Sequence, residues 1–295
     1  MSDHWTILVN PRSGRRGAMV DRVEDAVRAT GVMATITAPA GAQAMRLAVQ
    51  EIVGTGLRHI GVVGGDGTIS LVVDELMRLN LATPPVIAVL PAGTGSDFAR
   101  PFAISQRLEG AVHHLAGSTD YPIDVGFVRG EWGLRAYVNV AQAGLLAASV
   151  ERASRFPQAV GRVKYQAAFW ATLPQFTGTE IELVTDRRTY SGPALLALVA
   201  NGQFFGGGFN VAPKAALMDG LLDVQVIDAK RREALQLFPQ VKKGLHLRHR
   251  SVTRFQTSAF SLTTSVPWPF EVDGDVIGRT PVTGWVEQNR LFLRL

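Results

Sequence analysis

Apolar residues in the first third of the chain follow two alternating periods. WTILVN (5–10), VMATIT (32–37), HIGVV (59–63) and VIAVLP (86–91) are short continuous runs, the pattern of strands buried on both faces. Between them, residues 18–30, 42–53 and 69–79 repeat apolar side chains at helical spacing. Strands alternating with helices predict βαβ units and a parallel sheet covered on both sides. After about residue 124 the style changes. Residues 135–141, 180–185, 189–191, 193–201, 221–228, 253–262 and 270–273 read as strands, several separated by Gly, Asp-Arg or Pro turns. Helical stretches interrupt them near 145–155 and 163–176. The expected organisation is an α/β domain over 1–124 and a β-rich domain, antiparallel or a sandwich, over 125–295. The last residues are expected to pack back on the first domain.

Composition narrows the classes. Hydrophobic residues are 46% and charged residues 19% of the 295, which suits buried cores and excludes a disordered chain. The absence of cysteine removes disulfides, thiolate metal sites and a cysteine nucleophile together. The first residues carry an acid at position 3 and no long apolar run, so no secretory signal is expected. No run is long enough to span a bilayer, and a soluble cytoplasmic protein is the expectation. The net charge of +5, from 25 Arg and 5 Lys against 25 acids, suits phosphorylated ligands or an anionic membrane, though arginine bias alone would produce it. The densest patch, KKGLHLRHRSVTR (242–254), lacks the interleaved aromatics of a nucleic-acid platform, so no nucleic acid is expected. A solvated helix end is the favoured reading of that patch over a membrane contact. His246 and His249, with no neighbouring carboxylate or third ligand in the sequence, read as solvated.

Three glycine-bearing loops follow the first, third and fourth strands: NPRSG, GGDG and PAGTGSD. In a parallel sheet these fall on one edge, the carboxyl ends where ligands bind. Neither a G-x-x-x-x-G-K-[ST] nor a G-x-G-x-x-G motif is present. Gly64, Gly65 and Gly67 precede a predicted helix with Thr68 at its expected N-cap; bare N–H groups, a hydroxyl and a positive helix end suit phosphate. Asp66 would repel that phosphate unless a divalent cation, Mg2+, lay between them. Gly93, Thr94, Gly95 and Ser96 repeat the recipe. Any one loop is equally well a tight turn that needs glycine. Convergence of three favours a ligand.

NPRSG (10–14), GGDGT (64–68) and PAGTGSDFAR (91–100) resemble the diacylglycerol kinase catalytic-domain family, which includes bacterial lipid kinases and sphingosine and ceramide kinases, with NAD kinases and phosphofructokinases as distant relatives. IDVG (123–126), YVNVA (137–141), VANGQFFGGGFNVAPKAALMDGLLDV (199–224) and EVDGD (271–275) extend the resemblance over nearly the whole chain. It implies an NAD kinase/phosphofructokinase-like α/β domain with a parallel sheet, a β-sandwich C-terminal domain, and an active site in the cleft between them. It implies ATP-dependent phosphorylation of a lipid alcohol, diacylglycerol by default. The GDGT segment and Thr94 would bind nucleotide, with Asn10 and Thr37 near the adenosine or phosphates, and Asp66 would organise Mg–ATP. Asp219, with the carbonyls of Ala216 and Leu221, would hold a structural Mg2+, and Asp275 would be the general base. Implied partners are ATP, the lipid and an anionic membrane touched peripherally; a homodimer is left open.

Four positions depart from the family pattern: Leu71 and Leu146 for acids, Ser96 for Asn, and Asp275 for Glu. They keep two other readings in play, a catalytically silent lipid- or nucleotide-binding module and a kinase of a soluble hydroxyl such as NAD. Phe169, Trp170, Phe176, Phe204 and Phe205 suit an acyl-chain channel, but aromatics at helical spacing are more often core, the reading preferred here.

Overall fold

The computed structural model describes residues 4–13, 19–92, 96–157, 161 and 163–295. Two compact units divide the chain: the residues up to Val125 together with Gln288–Leu295, and Gly126–Glu287.

In the first unit, strands β1 (Trp5–Val9), β2 (Ala34–Thr37), β3 (His59–Gly64) and β4 (Val86–Pro91) alternate with helices α1 (Met19–Thr30), α2 (Ala42–Gly54) and α3 (Asp66–Arg78). They form a parallel sheet in the order β2-β1-β3-β4. The carboxyl end of the last strand of the chain adds to it, Phe292 and Leu293 pairing parallel with Val86 and Ile87. β1 and β4 are wholly buried, as continuous apolar runs require, while β2 lies at the sheet edge and is half covered. The register sets Leu8 beside Thr37, Val9 beside Val63, and Gly64 beside Pro91. The chain therefore leaves these strands on one edge. Under α2, Arg46 bridges two otherwise costly buried acids of α3, Asp74 at 2.9 Å and Glu75 at 2.7 Å.

The second unit holds the end of β5 (Asp120–Gly130), then β6 (Gly133–Tyr137), β7 (Val140–Gly144), α5 (Leu145–Ala153), α6 (Val163–Thr172), β8 (Thr179–Thr185), β9 (Thr189–Ala194) and β10 (Leu196–Ala200). It continues with β11 (Leu222–Ile227), α7 (Arg231–Lys243), β12 (Val252–Thr257), β13 (Ala259–Thr264), β14 (Pro269–Val272), β15 (Asp275–Arg279) and the start of β16 (Val282–Arg294). One antiparallel sheet runs β12-β11-β10-β7-β14-β15; the other strands pair as β16-β13-β8-β9, with a β5–β6 hairpin. Val199, Val224, Phe270 and Val272 of the first sheet share a core with Leu183, Phe260 and Leu262 of the second. This is a sandwich. On the opposite face of the six-stranded sheet, Leu196, Leu198 and Ala200 pack beneath Phe169 of α6 and Leu237 of α7. The ring of Phe169 stands 5.0 Å from Trp170 and 4.9 Å from Phe238.

The structure corrects several sequence expectations. Residues 135–141 are not one strand but β6 and β7, in different sheets. The N–H groups of Val138, Asn139 and Val140, stranded at the break, donate to the buried carboxylate of Asp273 at 3.0, 3.0 and 2.9 Å. Residues 253–262 likewise split at Ser258 into β12 and β13, where Asp186 accepts from the Thr257 hydroxyl and from the Ser258 N–H at 3.2 Å. An apolar run reports burial, and both sheets are buried, so the change of sheet left no mark in hydropathy. β15, β16 and α7 were absent from the expectation; α7 carries Pro239 within a highly charged stretch. His246 is buried, 1% exposed, with Nε2 2.9 Å from Gln225 Oε1 and 3.1 Å from the Val211 carbonyl.

Asp273→Asn removes the charge and leaves an amide facing at least one of the three N–H donors. Hydrogen bonds to a charged acceptor contribute about 1.5–3 kcal/mol each, so a loss of about 2–3 kcal/mol is expected. A lower urea midpoint at unchanged slope is the measurement; an unchanged midpoint would contradict this account of the break.

Candidate active site

The first cluster lies at the carboxyl edge of the parallel sheet. α3 begins at Asp66, three residues earlier than its apolar periodicity suggested, and Gly65 is its N-cap. Thr68 is therefore inside the first turn and not at the cap. Its hydroxyl accepts a 2.8 Å hydrogen bond from Asn10 Nδ2, which ties the loop after β1 to the start of α3. Asn10 Oδ1 in turn accepts the N–H of Arg12 at 3.0 Å. Thr37 ends β2, half-buried, in register with Leu8. Gly93, Thr94 and Gly95 lie outside the described residues.

The three glycines of GGDG differ in kind. A Cβ on Gly64 would stand 2.6 Å from the Thr68 side chain, so packing alone requires glycine there. Around Gly65 and Gly67 a Cβ would meet nothing within 4 Å. Gly65 has φ of −100°, and neither residue belongs to the left-handed set. Neither conformation nor packing asks for glycine at these two positions. Their backbone faces open room beside the first N–H groups of a helix, which have no intrahelical acceptor. That room fits a phosphate.

Asp66 Oδ1 accepts the Ser96 hydroxyl at 2.9 Å and the Phe98 N–H at 3.1 Å, so the loop after β4 is anchored on it. Ser96 thus supplies a donor where the family has an amide. Among the described residues, Oδ2 takes no hydrogen bond, which leaves an oxygen suited to a divalent cation. Leu71 is half-buried on α3, and Leu146 packs against the core beneath α5 and α6.

The second unit carries two further groups, on β11 and β14, with β10 and β7 between those strands in the sheet. Asp219 is exposed in the turn before β11; its Oδ1 accepts the Leu221 N–H at 3.0 Å, and Oδ2 lies 3.4 Å from Gln256 Nε2. Among the described residues no three His, Cys, Asp or Glu side chains gather as a metal cluster, so a cation at Asp219 would need carbonyl and water oxygens. Ala216 is exposed and Leu221 half-buried.

EVDGD forms the hairpin β14–β15, with Asp273 and Gly274 as its two-residue turn at φ of 47° and 100°. Both positive angles identify the Asp-Gly pair as a type I′ turn. Asp275 opens β15 with its side chain 70% exposed and its Oδ2 3.2 Å from Arg135 Nη2. Glu271, which sequence reasoning passed over, is wholly buried. One of its oxygens accepts the Gly274 N–H, and the other takes Gln142 Nε2 at 2.5 Å. Burial pushes its carboxyl up to about 8, against the two donated hydrogen bonds and with smaller help from Asp273 and Asp275. The signal was available: strand alternation puts Glu271 on the face opposite Phe270 and Val272.

Comparison with known proteins follows this geometry. Residues 4–128 match the family described as the diacylglycerol kinase catalytic domain, and residues 139–293 the YegS C-terminal NAD kinase beta sandwich-like domain. A protein of Mycobacterium tuberculosis (strain H37Rv) named diacylglycerol kinase is 30% identical over 85% of this chain and 83% of its own length. One of that name from Bacillus subtilis (strain 168) is 27% identical over 93% and 90%. The crystal structure of a diacylglycerol kinase from Bacillus anthracis strain Sterne superposes with a TM-score of 0.75 at 18% identity, covering 99% of this chain and 96% of the other. The structural likeness supports the fold.

Because Glu271 stays protonated when folded up to about pH 8 but ionises near 4.5 when unfolded, its contribution to stability is whole below about 4.5 and lost as pH rises toward 8. Glu271→Gln, neutral throughout, should melt at about the wild-type temperature near pH 4.5 and several degrees higher near pH 8. Parallel melting curves at both ends would contradict the shift.

Proposed function

The chain belongs to the diacylglycerol kinase catalytic-domain family and is a kinase, and on that premise we propose that it transfers the γ-phosphate of ATP to a lipid hydroxyl, diacylglycerol giving phosphatidic acid. The observation that carries the phosphate-donor half is the pair Gly65 and Gly67, glycines that neither backbone angle nor packing explains. The acceptor half rests on the named relatives.

In this reading the N–H groups around Gly65, Asp66 and Gly67 cradle the phosphates, and the Thr68–Asn10 pair fixes the loop around them. Thr37, Gly93, Thr94 and Gly95 complete the nucleotide site. Asp66 Oδ2 would hold the Mg2+ of Mg–ATP; Asp219, with the carbonyls of Ala216 and Leu221, would hold a second, structural ion. Bound there, Mg2+ would neutralise the charge that builds on the transferred group. Asp275 is the proton acceptor from the lipid hydroxyl, its carboxylate steered by Arg135. It reaches about 1.5 Å less far than a Glu, one carbon–carbon bond, so the hairpin must bring it closer to the substrate.

Among the described residues no helix is long and apolar enough to cross a membrane. Access to a bilayer substrate would then be peripheral, through basic residues such as Lys242 and Lys243 at the end of α7.

Incubation with labelled ATP, Mg2+ and total lipid extract, with NAD in a parallel tube, tests the function. A labelled lipid is expected; label in NAD, or nucleotide binding without transfer, would overturn it. Gly65→Val should leave folding intact, since the side chain meets only open room, and weaken ATP at least tenfold, about 1.4 kcal/mol. Calorimetric titration of the folded variant checks this, and unchanged affinity removes the loop from the site.

A general base contributes about 10²–10⁴-fold, so Asp275→Asn should lower kcat by that order with ATP affinity within a few-fold. Steady-state kinetics decide. Normal turnover removes Asp275 from the reaction.

A further inference from the structure

Three acids lie within five residues, EVDGD, and only two have obvious work. Asp273 accepts three backbone N–H groups, and Asp275 faces solvent beside Arg135. Glu271 is sealed from solvent and, among the described residues, forms no ion pair. Its carboxyl spans the turn to the Gly274 N–H, the residue immediately before Asp275, and meets Gln142 across the β14–β7 register. Gln142 is also wholly buried, and among the described residues its Oε1 has no hydrogen-bond donor.

An ionised Glu271 cannot supply that donor; a protonated one can. The two ends of an amide are interchangeable in such an assignment. With its amide turned, Gln142 places its oxygen at the 2.5 Å contact, where a protonated Glu271 donates its O–H. In that orientation the amide oxygen gains the donor it lacks in the other.

We propose that Glu271 is a positioning residue of this kinase: as a neutral carboxylic acid it clasps the turn that carries Asp275 and locks it against Gln142. The proposal rests on the reading of Asp275 as proton acceptor. Burial opposes the ionisation of Glu271 and outweighs the hydrogen bonds donated by Gln142 and the Gly274 N–H. Asp273 and Asp275 on its own hairpin are acids, and β7 presents the neutral Gln142. On β6, Arg135 is held by Asp275, and the buried Tyr137 hydroxyl lies near Asp273. On α5, which packs on β14 and β15, Glu151 pairs with Arg279. Loss of the proton would put a third negative charge beside two carboxylates in a dry site. The clasp would open to reach water. Burial holds the carboxyl near 8, so the transition falls at the alkaline edge of the working range.

The test combines spectroscopy and kinetics on folded full-length protein. Infrared spectra of the wild type should show a protonated-carboxyl stretching band at neutral pH that fades as pH rises through about 8 and is missing in Glu271→Gln. With labelled ATP, Mg2+ and dioleoylglycerol vesicles, wild-type kcat should fall over the same range. Glu271→Ala should lose about tenfold or more in kcat at neutral pH, with KM for ATP within about threefold, as expected for a misplaced catalytic group. Glu271→Gln should recover most of that loss and show no alkaline fall. Absence of the band in the neutral wild type overturns the proposal, and so does an alkaline fall that persists in Glu271→Gln. Asp275→Asn, assayed alongside, separates the two readings. Normal turnover there ends the role of Asp275 and with it the positioning role of Glu271, whereas reduced turnover there with an alkaline fall that persists in Glu271→Gln overturns the proposal for Glu271 alone.

Discussion

Buried backbone N–H groups need acceptors, and at the passage from β6 to β7 a carboxylate provides them. That carboxylate is Asp273. Its two oxygens take the N–H groups of three successive residues, Val138 to Val140, where the chain passes from the β5–β6 hairpin into the six-stranded sheet. At the β12–β13 break the exposed Asp186 accepts the Ser258 N–H, and within β16 Asp124 accepts the N–H of Asn289, which has φ of 56°. A sandwich made from strands that cross between sheets would otherwise strand these donors. The sheets can share strands because the breaks are satisfied by side chains from distant segments.

The nucleotide side obeys a different constraint, the geometry of a parallel sheet. Parallel registers between β1, β3 and β4 bring Val9, Gly64 and Pro91 to a common edge, so three loops meet without any loop being long. Asp66 then links two of them through Ser96 and Phe98, and Thr68 links the third through Asn10. Within GGDG, Gly64 is a glycine for the sake of the protein's own packing, its Cβ position lying against Thr68. At Gly65 and Gly67 a Cβ would meet nothing within 4 Å among the described residues. That distinction ties the fold to phosphate chemistry more closely than a count of glycines does.

Much of this was legible in the amino-acid sequence, for identifiable reasons. β1, β3 and β4 are buried on both faces and announce themselves as unbroken apolar runs, and strand–helix alternation allows few arrangements. The family-like motifs cover both the sheet-edge loops and the hairpin. What escaped detection shares a physical cause. Hydropathy reports burial but not which sheet a strand joins, so 135–141 and 253–262 each merged two strands. The start of α3 was missed because Asp66 and Gly67 are polar or small, although an acid in the first turn suits the helix dipole. His246 was read as solvated because its partners, Gln225 and the Val211 carbonyl, lie far away in sequence and one of them is backbone. Glu271 hid inside a motif whose attention falls on its neighbours.

That hairpin shows how environment separates residues of one chemical type. Asp275 is exposed and pairs with a cationic neighbour, Arg135. Asp273 is buried but surrounded by N–H donors, so it holds structure and has no oxygen turned to a reactant. Glu271 is buried with one backbone donor and one amide, too few to sustain a charge, and proton binding becomes its cheapest form of compensation. Alternation along β14 and the two-residue turn impose these three settings within five positions. The extra methylene of Glu271 lets it reach back across the turn to Gly274, a span for which an aspartate is one bond shorter. Where the family carries a Glu at the end of this segment, the present chain carries Asp275. The reach that Asp275 lacks must then come from the placement of the turn itself, and Glu271 is the side chain that fixes that turn.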